Sequence, residues 1–246
     1  MPVLEILHNY RKSGKKGLAV LLDPDKESTI GLKDRIGILA KAEPDFFFVG
    51  GSLITGNSFQ ILVEAIRKTC EIPVVIFPGS NLHIHGDADG ILLLSLISGR
   101  NPELLIGQHV AAAPILKNAD LEILPTGYML VDGGRPTTVS YMSNTAPIPS
   151  DKPEIAVCTA MAGEMLGLKL LYLDAGSGAL TPVPAEMIRQ VKGASGIPLL
   201  AGGGIRSAAQ ARDAWEAGAD CIVVGNALES SPELIIELAL ARRQWH

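Results

Sequence analysis

Three aspartates, Asp45, Asp89 and Asp220, each open a run of apolar residues: DFFFVGG, DGILLLSL and DCIVVGN. Runs that are apolar throughout, rather than alternating, mark strands covered on both faces, and such strands belong to parallel sheets. Parallel neighbours need a crossover, and segments such as Ser58–Cys70 and Ser207–Ala217 carry the apolar period of a helix. A strand-plus-helix unit recurring along 246 residues predicts an α/β fold of the closed (β/α)8, or TIM-barrel, type. One such domain is expected over residues 1–246.

Taken in order, Leu4–Lys12 reads as a lead-in helix and Gly17–Leu22 as the first strand, ending at LLDPDK. Thr29–Lys41 is expected to be helical, with Ser28 as its N-cap. The third unit breaks the plan. Between Phe77 and Asp89 the chain reads PGSNLHIHGDA, too short and too irregular for a crossover helix. Barrel helix three is therefore expected to be missing, replaced by a loop or strand-like segment, leaving a groove that suits a long apolar tail. Pro102–Ala112 reads as the fourth helix. The fifth strand is either Leu121–Leu124 or Tyr128–Val131, because Pro125 and Gly127 interrupt the run. Asp132–Pro153 is long, irregular and rich in Gly, Thr, Ser and Pro, the mark of a functional excursion. The remaining strands are Lys169–Leu173, Ile197–Ala201 and Cys221–Val224.

Barrel chemistry gathers at the C-terminal ends of strands. Two such ends, Gly202–Gly204 and Gly225–Asn226, are glycine turns that lead into helices. Glycine lets main chain approach a ligand, and a helix start adds positive potential, so these turns suit a phosphate. The sixth strand's end, YLDAGSG at Tyr172–Gly178, supplies a third wall. Asp174 points an acid at the ligand there, and Tyr172 adds a hydroxyl. No lysine stands at a strand end for Schiff-base chemistry. His83 and His85 are the one close histidine pair, in the segment that replaces a helix. Asp23, with Ser52 at the second strand's end, is too thin a shell for a metal alone. It suits Mg²⁺ if a substrate brings a diphosphate, since Mg²⁺ takes few protein oxygens and completes its shell from water and phosphate.

A net charge of −5 without a basic stripe argues against nucleic acid as a partner. The longest apolar run, Ile91–Ile97, falls far short of the ~20 residues of a membrane helix, so stable membrane insertion is not expected. Met1–Lys16 has no secretory signal pattern, and three scattered cysteines read as buried, reduced thiols. A cytoplasmic enzyme is expected.

LLDPDK, FVGGS, YLDAGSG, AGGGIRS and VVGNA, in this order, resemble the geranylgeranylglyceryl phosphate synthase family, which includes the PcrB-like prenyltransferases. SNTAPIP and DKPEIA are similar to its second group, and the resemblance spans roughly Gly17 to Ala227. It implies a barrel without its third helix and a transferase joining sn-glycerol 1-phosphate to a polyprenyl diphosphate, geranylgeranyl being the expected donor. An ether bond forms and diphosphate leaves. It implies Mg²⁺ on Asp23 and Ser52, and glycerol 1-phosphate held by Tyr172, Leu173, Asp174, Ala175, Gly176, Ser177, Gly178, Gly203, Gly204, Gly225 and Asn226. Asp174 is then the proton acceptor or an orienting partner, and a homo-oligomer, dimer or hexamer, is expected. Two features depart from the family. Its sixth-strand acid is often Glu rather than Asp, and Leu21 stands where the smaller bacterial group has Lys. Two other readings stay open: a metal-independent sugar-phosphate isomerase using Asp23 and Asp132, and a non-catalytic phospholigand-binding barrel.

Overall fold

In the computed structural model, which describes residues 1–27, 30–51, 54, 58–80 and 83–245, eight parallel strands close into a barrel in chain order. They are β1 (Gly17–Leu22), β2 (Phe46–Gly50), β3 (Val74–Phe77), β4 (Gly90–Leu96), β5 (Glu122–Leu130), β6 (Leu170–Asp174), β7 (Leu199–Gly202) and β8 (Cys221–Val224). The described helices are α1 (Val3–Ser13), α2 (Leu32–Ala40), α3 (Ser58–Thr69), α4 (Gln108–Asn118), α5 (Thr138–Ser143), α6 (Pro153–Met165), α7 (Ala185–Ala194), α8 (Ala208–Ala217), α9 (Asn226–Ser230) and α10 (Leu234–Arg242). None is long and apolar enough to cross a membrane.

Strand side chains alternate between two layers. Ala19, Phe46, Phe48, Val75, Leu92 and Tyr172 fill the barrel interior, and Val3 and Leu7 of α1 join them as a plug. Leu18, Val20, Phe47, Val74, Leu171 and Leu173 pack outward under the helices. The plug is anchored at its first turn, where the Glu122 carboxylate accepts from the amides of Val3 and Leu4, the latter at 3.0 Å. A carboxylate at a helix N-terminus is favoured by the helix dipole.

The repeated aspartates have a structural role. Each donates its backbone amide to, and accepts with its carboxylate from, one residue of the preceding strand. Asp45 clasps Leu18, Asp89 clasps Val74 and Asp220 clasps Leu199, with carboxylate bonds of 2.7, 2.7 and 2.8 Å. A two-point clasp fixes the register at the start of a strand, so every inward and outward side chain beyond it is set. Asp45 also binds Tyr10 and Arg242, and Asp220 binds Lys192.

Four elements differ from expectation. β5 is one continuous strand through Pro125 and Gly127. The Pro125 carbonyl accepts from Lys169 at 2.8 Å on the β6 side, where pairing begins only at Thr126↔Leu170, so proline's missing amide falls outside the ladder. The fourth helix starts with a π-helical turn, Glu103–Gly107, and runs past Pro114 to Asn118, whose side chain bonds the Pro114 carbonyl at 2.9 Å. The excursion after β5 contains α5, closed by a capping box at Thr137. α2 begins at Leu32 behind a left-handed Gly31, while Ser28 lies outside the described residues. Cys221 is buried as expected, but Cys70 is half-buried and Cys158 exposed. Between β3 and β4 the described residues form no helix, and His83 and His85 stack on Phe59 with ring centroids 6.1 and 5.4 Å away.

Candidate active site

The C-terminal ends of β1, β2 and β6–β8 surround a cavity of about 290 Å³. Its floor is Asp174, the last residue of β6 and only 7% exposed. One carboxylate oxygen accepts from the Tyr128 hydroxyl at 2.6 Å and the other from the Gly176 amide at 2.8 Å. Burial raises the Asp174 carboxyl above the ordinary aspartate range, while the two hydrogen bonds pull it back down. The same burial, and then the Asp174 charge, pushes the Tyr128 and Tyr172 phenols well above their usual range. Both phenols therefore stay neutral beside the carboxyl, and that of Tyr128 donates to it.

Gly203 is dictated by this acid. It sits at φ +77°, and a Cβ there would stand 2.6 Å from Asp174 Oδ1 and 2.6 Å from the Gly176 amide. No side chain fits. Around the rim, the Ser177 hydroxyl donates to Asn226 Oδ1 at 2.8 Å, lacing the β6 loop to the β8 loop. Arg206 lines the cavity with its guanidinium held on the Ala179 carbonyl at 2.6 Å.

Across the mouth stands Asp23, whose Oδ1 accepts from the Asp25 amide at 3.1 Å and whose Oδ2 lies 3.6 Å from Lys26 Nζ. Four acids, Asp23, Asp25, Asp174 and Glu229, line the cavity against two cations, Lys26 and Arg206, among the described residues. A polyanionic ligand needs positive charge brought from outside, which fits a divalent cation with one protein carboxylate and its other oxygens from ligand and water. No three His, Cys, Asp or Glu side chains among the described residues form a ready cage. Ser52, the second ligand expected, lies outside the described residues.

Of the expected phosphate-site residues, Tyr172, Asp174, Ser177, Gly178, Gly203, Gly204, Gly225 and Asn226 line the cavity, as does Asp23. The Leu173 and Ala175 side chains pack into the outward core, so only their main chain faces the loop region. Gly176 acts through its bond to Asp174. Asp132 turns back on its own loop, accepting from the Gly134 amide at 2.9 Å, and is not among the cavity's lining residues. The acid pair of an isomerase is not assembled.

Phe77 joins this cavity to a second one of about 320 Å³, lined by apolar residues that include Ile84, Ile91, Leu94, Leu104, Ala112 and Met142. It opens where the described residues after β3 leave the wall without a helix. Phe77, Tyr128 and Tyr172 meet edge to face at the junction, with centroids 5.5 to 6.1 Å apart.

A family model described as the PcrB family matches residues 11–242. The chain belongs to the PcrB family. Similar proteins include the geranylgeranylglyceryl phosphate synthase of Spirosoma linguale, 54% identical over 99% of this chain and 98% of the relative. That of Korarchaeum cryptofilum is 38% identical over 94% of this chain and 95% of the relative. Among solved structures, (S)-3-O-geranylgeranylglyceryl phosphate synthase from Thermoplasma acidophilum, in complex with its substrate sn-glycerol-1-phosphate, matches with a TM-score of 0.92 at 32% identity over 99% of each chain. Tryptophan synthase from M. tuberculosis, at 18% identity and a TM-score of 0.60, shares the fold alone.

Sequence reasoning about this PcrB-family chain missed Tyr128, Phe77 and the cavity face of α5, where Thr138 lines the first cavity and Val139 the second. Tyr128 carried no local signal. In the β5–β6 register it stands opposite Tyr172, two residues before the partner of Asp174. The doubt over β5 hid that parity.

Proposed function

We propose that this chain is a geranylgeranylglyceryl phosphate synthase, a prenyltransferase that joins sn-glycerol 1-phosphate to a polyprenyl diphosphate through an ether bond. The observation that carries the reading is the joining, through Phe77, of a glycine-walled cavity floored by buried Asp174 to an apolar groove. The first suits a small phosphate with a hydroxyl to deprotonate, and the second suits a polyprenyl tail. The relative solved with sn-glycerol 1-phosphate supports the acceptor's identity.

In this reading the turns at Gly203–Gly204 and Gly225–Asn226, with Ser177 and Gly178, hold the acceptor's phosphate. Its 3-hydroxyl rests on Asp174. The hydroxyl oxygen forms a bond to the donor's C1, the C1–oxygen bond to diphosphate breaks, and Asp174 takes the released proton. Tyr128 keeps the carboxylate aimed, and the neutral aromatic faces of Phe77, Tyr128 and Tyr172 surround the allylic carbon. Asp23, with Ser52, would hold Mg²⁺, which supplies charge to stabilise the leaving diphosphate. The product is a lipid precursor made by an enzyme we place in the cytoplasm.

Calorimetry tests the acceptor site. Wild type should bind sn-glycerol 1-phosphate, and Gly203→Ala should weaken it at least about tenfold, because a methyl group displaces Asp174. EDTA should abolish transfer while leaving acceptor binding intact. Transfer that survives EDTA would sink the metal assignment, and wild type that does not bind the acceptor would sink the phosphate site.

A further inference from the structure

Lys26 ends the LLDPDK motif and has no part in the reaction drawn above. Its ammonium stands between two carboxylates on neighbouring walls of the cavity mouth, 3.1 Å from Glu229 Oε1 after β8 and 3.6 Å from Asp23 Oδ2 after β1. The base of the side chain is fixed. The amides of Lys26 and Glu27 bond the Asp23 carbonyl at 3.0 and 3.2 Å. Glu27 pairs with Arg35 at 2.9 Å, and Arg35 in turn bonds the Leu228 carbonyl at 3.2 Å, next to Glu229. The turn is therefore tied to α9 independently of Lys26, so the ammonium is not needed to hold the two loops together. Its tip is the exposed part: the Lys26 side chain is 39% exposed, and half-exposed ion pairs are weak.

We propose that Lys26 is a positioning residue for the donor's diphosphate, parked on Asp23 and Glu229 in the free enzyme and turned onto phosphate oxygens when the donor enters. This rests on the proposed donor site. The oxygen that Lys26 approaches belongs to the carboxylate assigned to the divalent cation, and two cations compete for one carboxylate. Once a metal holds Asp23, the ammonium is repelled towards the newly arrived anion. A lysine is a compact, strongly hydrated point charge on a flexible stem, suited to such a change of partner. The cavity's other cation among the described residues, Arg206, is tied to the Ala179 carbonyl beyond β6. Lys26 is thus the cation beside the metal's carboxylate. Glu229 sets its resting place and keeps a free ammonium from closing on Asp23 alone.

The proposal predicts effects of opposite sign in one variant. Titration calorimetry would compare wild type and Lys26→Met with Mn²⁺ alone, with inorganic diphosphate in saturating Mg²⁺, and with sn-glycerol 1-phosphate. Lys26→Met should bind Mn²⁺ about threefold tighter, because a competing cation is gone. It should bind diphosphate about tenfold more weakly, because a charge-assisted contact is gone. Acceptor affinity should stay within about twofold. Lys26→Arg should recover most of the diphosphate affinity, and Glu229→Gln, which loosens the parking place without removing the ammonium, should match or exceed wild type for diphosphate. Unchanged diphosphate binding in Lys26→Met, or a parallel loss of Mn²⁺ and diphosphate, would overturn the proposal. If Lys26→Met does not fold, a Glu229→Gln variant that loses diphosphate affinity overturns it equally. Wild type binding neither Mn²⁺ nor diphosphate would instead overturn the donor-site reading beneath it.

Discussion

Asp174 concentrates the conflict between stability and chemistry. Its burial makes ionisation costly in the fold, so its folded-state pKa is raised. A raised carboxyl pKa means that the folded protein holds the proton more tightly than the unfolded chain. Its stability relative to a neutral isostere is therefore lost as pH rises from the unfolded pKa through the folded one. Asp174→Asn should then raise the melting temperature at neutral pH by a few degrees, about the shift expected for 1 kcal/mol in a chain of this size. The same variant should lose about 10²–10⁴ in kcat if the group is the base, the usual worth of a positioned one. Tyr128→Phe removes a donor to the carboxylate, so the Asp174 pKa should rise further and the acid limb of kcat/KM against pH should move to higher pH. An acid limb that stays put would assign Tyr128 to packing. Asp174 was legible from YLDAGSG, because an acid at a strand's end beside glycines is a local pattern. Tyr128 was not, since its role depends on which residue of β5 lies opposite Tyr172, a long-range fact.

Among elements, the aspartate clasps decide how the strands register, and they should not be equal in worth. Asp220 is 1% exposed and serves Leu199, Lys192 and Arg11. Its removal takes a buried carboxylate from half-buried Lys192 and Arg11 and orphans the Leu199 amide, which costs about 3 kcal/mol. The Asp89 side chain is 37% exposed and pairs with exposed Arg67. Asp89→Ala should cost about 1 kcal/mol, the lower range for an orphaned amide. Urea midpoints would rank them, and equal losses would contradict the clasp account. The repeat that disclosed the barrel is thus a register device, distinct from the catalytic ends of the strands. β5 shows the limit of such reading. Proline argues against a central strand on general grounds, and only the late start of the β6 ladder makes Pro125 harmless.

At the scale of the molecule, a glycine-walled cavity and an apolar groove meet at Phe77 on one rim of the barrel. An apolar groove lies beside the segment PGSNLHIHGDA, whose described residues form no helix. Apolar side chains also stand exposed outside the site, among them Ile106 and Val110 before and within α4 and Met165 and Leu166 at the end of α6, at 60 to 80%. Such a surface supports the homo-oligomer we propose. Light scattering should return a multiple of the 25.9 kDa chain, and a monomer at micromolar concentration would remove that part of the account. The central claim is that the two spaces serve one transfer reaction. Purified protein should be incubated with Mg²⁺, labelled sn-glycerol 1-phosphate and geranylgeranyl diphosphate, and the label followed into organic solvent. The account predicts a lipid-extractable ether with one diphosphate released per molecule formed. No extractable label with any donor from farnesyl to heptaprenyl diphosphate would contradict it.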